Sequence, residues 1–163
     1  MRTEPHLLDD GGRQCERFGL TLRRVKVFIS HASGDRRFAA SLGEALANAG
    51  LRVWEPHDLH PGDNWALESG KALDAADAII VLLSPDAVAS EWVRREIEFA
   101  ISSPRFKGRL IPVLVRRTPQ VPWILQELPQ WIEARDPDAA AARIVRLLKQ
   151  PDAPARAKTS EAR

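Results

Sequence analysis

Apolar residues along the chain fall into short dense blocks separated by stretches with helical spacing. Val25–Ser30 (VKVFIS) is apolar and β-branched, which predicts a buried strand. Asp35 stands where a cap is needed for a helix with apolar Phe38, Leu42, Leu46 and Ala49, and Gly50 stops it. Leu51–Trp54 predicts a second strand. Glu55 to Asp63 (EPHDLHPGD) is a loop, and Asn64 to Ala75 a helix. Ala78–Leu83 is apolar without interruption, so both faces of that strand should be covered. Pro85 to Ser102 reads as one helix and Leu110–Val115 as a fourth strand. Residues 116–130 are irregular, and Trp131–Ala134 is a short fifth strand. Asp136 as cap and Pro137 at the first helical position open a last helix to Lys149.

The order βαβαβαβ, an irregular stretch, then βα gives an α/β fold, flavodoxin-like in outline. A central parallel sheet of about five strands carries helices on both faces. Residues 25–149 form this domain. Residues 1–24 lack periodicity and read as an arm. Residues 150–163 hold no large apolar residue and read as a disordered tail. Ligands of such sheets sit at the carboxyl ends of the strands. Those ends are Ser30–Gly34, Glu55–Asp63, Ser84 and Arg116–Arg117.

Composition narrows the field. The chain has 163 residues, 44% apolar and 28% charged, which suits a single globular domain. A net charge of +2 is too small to imply a nucleic-acid partner. The single cysteine, Cys15, excludes an intrachain disulfide and a Cys-based zinc site. It lies in the arm and reads as a thiol of that segment, not a nucleophile. The first residues have no apolar signal region, and no run approaches the length of a membrane span. The expectation is a soluble, cytoplasmic protein with no membrane partner.

Several chemistries are missing. There is no P-loop, no GxGxxG after the first strand, no GxSxG elbow and no HExxH. The third strand ends Leu82-Leu83-Ser84, without the aspartate of a phospho-acceptor domain. His57 and His60 share a loop but find no third ligand, so no metal site is expected. The informative segment is Glu91–Phe99 (EWVRREIEF). On a helix, Val93, Ile97, Ala100 and Ile101 form the core stripe. Glu91 can pair with Arg95, and Arg94 with Glu98. Glu96 has no such partner and is flanked by Trp92 and Phe99. That setting either raises its pKa and aims it at a ligand, or leaves an ordinary solvated helix residue.

Taken together, these segments resemble the Toll/interleukin-1 receptor (TIR) domain in its bacterial form. Val27–Ser33 with Asp35 (VFISHASGD) is similar to the first box, and Trp54 to Gly62 (WEPHDLHPG) to the second box with its BB loop. Ala78–Ser84 and Ser90–Ala100 resemble the third strand and following helix. Leu110–Val113 and Pro129–Trp131 resemble the later strand and third-box region. The resemblance runs from Val25 to Lys149 in unbroken order.

It implies either an assembly module or an enzyme that cleaves NAD+ between nicotinamide and ribose. The enzymatic group carries W-x-x-x-E after the third strand, matched here by Trp92-Val93-Arg94-Arg95-Glu96. Glu96 is then the catalytic carboxylate and Trp92 the pocket wall. Trp65 either stacks on nicotinamide or serves as a helix-end or core residue. Ser30, His31 and Ser84, at strand ends, are candidates for ribose or phosphate contacts. NAD+ is substrate, and no cofactor is implied. Asp58, Leu59, Pro61 and Gly62 form a loop suited to self-association through TIR–TIR contacts. The product is ADP-ribose or a cyclic isomer. The latter suits antiviral signalling of the Thoeris kind, with a downstream effector as partner. The competing classes are a non-enzymatic interaction module that mimics host adaptors, and a nucleoside deoxyribosyltransferase of related fold. This chain departs from some relatives in having Ser30, His31 and Ala32 where they place an arginine after the first strand, and His57-Asp58 in the loop.

Overall fold

A computed structural model describes residues 25–55 and 64–149; the side chain of Trp65 is not among those described. The five apolar blocks become strands β1 (Lys26–Ser30), β2 (Arg52–Trp54), β3 (Ala78–Leu83), β4 (Leu110–Leu114) and β5 (Ile132–Glu133). All neighbours pair in parallel, in the order β2-β1-β3-β4-β5. Each step between parallel neighbours needs a crossover, and the helices supply it. They are α1 (Arg36–Asn48), α2 (Trp65–Ala75), α3 (Pro85–Ala89), α4 (Glu91–Ser102), α5 (Trp123–Gln126) and α6 (Pro137–Lys149).

Every residue of β3 is buried, as its unbroken apolar run requires in the centre of a covered sheet. Alternation along the strands divides the core in two. Val27, Ile29, Ile80 and Leu82 pack with Leu42 and Leu46 of α1 and Ile144 of α6. Phe28, Ile79, Val81 and Leu83 pack on the other side with Val93 and Ile97 of α4 and Leu125 of α5. Ser30 follows Phe28 at a spacing of two, so β1 presents it to the α4 side. This parity is what brings β1 to the candidate site.

The element ends show which local signals prevailed. Gly50 takes φ +96° just past α1, where a side chain would be strained, and Leu51 N–H returns to the Leu46 carbonyl. Asn64 caps α2 by accepting from Leu67 N–H, and Asp136 caps α6 by accepting from Ala139 N–H. Asp35 departs from expectation. It closes a 3₁₀ turn over Ser33–Asp35, and its side chain makes no cap hydrogen bond to α1. The carboxylate instead accepts from Ser84 Oγ and from Arg116 Nη2. The helix expected over Pro85 to Ser102 is two helices. Ser90 adopts an extended conformation and caps α4, its hydroxyl accepting from Val93 N–H. The irregular stretch holds the short α5, whose Leu125 is buried and so needs an ordered turn. Strand five narrows to two residues. The arm, the tail, Cys15, His57, His60 and the loop residues Asp58, Leu59, Pro61 and Gly62 lie outside the described residues. Among the described residues no helix is long and apolar enough to cross a membrane.

Candidate active site

Glu96 is on the inner side of α4, one turn after Trp92. The sequence leaves its environment open between solvent and core; the fold places it in the core, 4% exposed. A buried carboxylate needs hydrogen bonds, and Glu96 has one for each oxygen. Ser30 Oγ donates to Oε2 from the carboxyl end of β1. Trp92 Nε1 donates to Oε1 at 2.6 Å, the i to i+4 spacing putting both side chains on one face. Burial is the largest influence on the group and raises its pKa from 4.5 to about 7. The Ser30 and Trp92 donors act the other way, because both favour the charged form. The carboxyl group is thus poised to change charge near neutral pH.

A cavity of about 380 Å³ opens on this carboxyl group. Trp92, Arg95, Glu96 and Phe99 of α4 line one side, and Ala66, Ser69, Gly70 and Leu73 of α2 the other. Arg105 fixes the end of α2 by donating from Nη2 to the Leu73 carbonyl at 3.0 Å while its guanidinium lies over Phe106. Arg95 donates to Glu91 at 2.8 Å, so its charge is shared with a neighbour on the surface. The cavity is therefore largely apolar, with a carboxylate at its edge. A delocalised, flat and positively charged ring suits such a site.

The structure brings Glu96, Trp92 and Ser30 together. It does not bring Ser84 to them. Ser84 is fully buried, donates to Asp35 and accepts from Ala87 N–H as the cap of α3. The Ser30 hydroxyl is directed at the Glu96 carboxylate. His31 is half-buried with Nδ1 2.8 Å from the Ala32 carbonyl, and it does not line the cavity. Trp65 is the first residue of α2, one position before the cavity-lining Ala66.

Three features of the region escape the sequence reading. Ser69 and Gly70 line the cavity from α2, and only the meeting of two helices shows it. Arg116, at the end of β4, bridges Asp35 at 2.9 Å and Asp86 at 2.7 Å. With Ser84 these groups tie the carboxyl ends of β1, β3 and β4 into one rim. A side chain at Gly34 would run into the Asp86 carboxylate, which keeps that rim closed.

A five-stranded parallel sheet in the order 2-1-3-4-5, with a W-x-x-x-E pair whose glutamate is buried at the carboxyl end of its central strands, defines a class. The TIR domain family matches residues 27–148, and the chain belongs to that family. Among curated proteins, the 2′ cyclic ADP-D-ribose synthase BtTIR of Bacteroides thetaiotaomicron is 38% identical over 77 residues, 46% of this chain and 27% of the relative. The match thus spans about a quarter of that relative's length. Among solved structures, the TIR domain of a Toll-related receptor from Hydra magnipapillata shares the fold with a TM-score of 0.62. It is 24% identical, and the match covers 77% of this chain and 96% of that one.

Proposed function

We propose that this TIR domain cleaves the bond between nicotinamide and ribose in NAD+. The observation that carries the reading is the buried Glu96, held by Ser30 and Trp92 at the edge of an apolar cavity. The similarity to a cyclic ADP-ribose synthase supports it.

The chemistry follows from the charge distribution. The pyridinium nitrogen of NAD+ already carries positive charge. When the C1′–N bond breaks, its electron pair returns to that nitrogen and nicotinamide leaves neutral. No acid is needed on the leaving group. The positive charge moves to the ribose ring in an oxocarbenium-like transition state. An ionised Glu96 beside C1′ stabilises that ring more than the ground state. Ser30 and Trp92 fix the carboxylate so that it need not reorganise as charge develops. Water attack at C1′ gives ADP-ribose, with its proton released to Glu96 or to solvent. Attack by a hydroxyl of the same substrate gives a cyclic isomer and releases one proton likewise. A group titrating near 7 suits either role.

The finer reading is a cyclase whose product signals to a downstream effector in antiviral defence. The residues Asp58, Leu59, Pro61 and Gly62 promote the active assembly through TIR–TIR contacts. The test is nicotinamide release at high protein concentration, with products identified by chromatography and mass spectrometry. Wild type releases nicotinamide, and Glu96→Gln loses at least about 100-fold in rate. A folded, concentrated wild type with no turnover overturns the reading and leaves an interaction module.

A further inference from the structure

Ser69 is 2% exposed and lines the cavity from α2, across from Glu96. Its hydroxyl has no hydrogen-bond partner. Serine inside a helix commonly returns its hydroxyl to the carbonyl one turn back, and this one does not. An unsatisfied buried hydroxyl is a cost that the fold did not need to accept, because alanine fits the same helix position better. The neighbouring Gly70 adds a second cost of the same kind. A Cβ there would meet nothing within 4 Å, so packing does not require glycine. Both residues weaken α2, and both face the cavity.

The other polar groups around the cavity are engaged. The Glu96 oxygens accept from Ser30 and Trp92, and Arg95 is turned to Glu91. Ser69 is the polar group in this wall that has no partner among the described residues. Resting on the NAD+ reading above, we propose that Ser69 is a specificity residue whose hydroxyl hydrogen-bonds the carboxamide of the nicotinamide ring, with the ring seated against Gly70. A hydroxyl both donates and accepts, which matches the C=O and NH₂ of an amide. A carboxylate on the ring would bring a second anion beside Glu96 and is disfavoured. The site therefore selects the amide over the acid and over an unsubstituted ring.

The experiment compares wild type and Ser69→Ala on two substrates, NAD+ and the dinucleotide whose ring is plain pyridine. The expected result is a loss of about tenfold in kcat/KM on NAD+ and no change on the pyridine substrate. Equal values on both substrates, or equal losses on both, overturn the proposal. The melting temperature of the variant should be unchanged or higher, which separates this role from a structural one. A second arm follows the Trp92 indole N–H resonance while nicotinamide or pyridine is added. Nicotinamide binding that weakens in Ser69→Ala, with pyridine unaffected, supports the proposal. Wild-type binding that is absent, or unchanged in the variant, overturns it. Turnover that ignores the substitution counts against Ser69 alone. Absence of turnover in wild type counts against the catalytic reading, and the binding arm then decides for Ser69.

Discussion

Ser30 and Glu96 lie 66 positions apart in the chain and share one buried hydrogen bond. The bond joins the end of β1 to the middle of α4. It has consequences for pH, because it favours the charged form of a carboxyl group whose burial, the larger influence, favours the neutral one.

The rate of NAD+ cleavage should rise with pH through about 7, as free Glu96 loses its proton. Ser30→Ala removes a donor that lowers this value, so the midpoint of kcat/KM moves to higher pH. Trp92→Phe shifts it in the same direction. A profile that is flat between about pH 5.5 and 8.5 would show that Glu96 is not the ionising group.

Stability should run the opposite way. The unfolded chain releases the Glu96 proton near 4.5, while the folded protein keeps it up to about 7. Across that window the native state binds more protons, so stability falls as pH rises and levels off above it. The full difference is about 3 kcal/mol at most. Glu96→Gln carries no such charge and should lack this slope. Urea unfolding at both ends of the window measures it, and parallel curves for the two proteins would contradict the burial of the carboxylate.

The rim makes a separate prediction. Asp35 is buried and accepts from Ser84 and Arg116. Arg116→Ala should cost about 2 kcal/mol, and Asp35→Ala more, because it strands the Ser84 hydroxyl in the core. Thermal unfolding reads both. A wild-type melting temperature in Arg116→Ala would mean that the pair contributes nothing to the fold.

Gly70→Ala should raise stability by up to about 1 kcal/mol, as expected for a glycine inside a helix with room for a methyl group. The same methyl group narrows the cavity, so turnover should fall. Gly70→Leu should fall further. Stability and activity rising together would remove Gly70 from the substrate site.

Much of this architecture is legible in the chain. The β3 run Ala78–Leu83 is apolar because it is covered on both faces, and that pattern needs no tertiary information. Trp92 and Glu96 are readable as a pair because helical spacing alone puts them on one face. Asp35 misleads because the local cap geometry is open to it, while a distant hydroxyl and guanidinium offer a stronger partnership. Ser69 and Gly70 carry no local signal at all. Small residues in an amphipathic helix are ordinary, and their significance depends on which face of α4 stands opposite. The break at Ser90 sits between these cases: a serine cap is visible in the sequence, but the apolar spacing runs smoothly through it.

The two faces of the sheet divide the labour of the molecule. Alternate residues of β1 send Val27 and Ile29 to α1 and α6, and Phe28 and Ser30 to the side that holds Glu96. The α1–α6 side is chiefly apolar, with the buried Glu55 carboxylate over Gly43 of α1 as its polar exception. The opposite side is bound to one arrangement of hydroxyl, indole and carboxylate. A protein built this way can take volume-conserving apolar exchanges on one face without disturbing the polar contacts of the other.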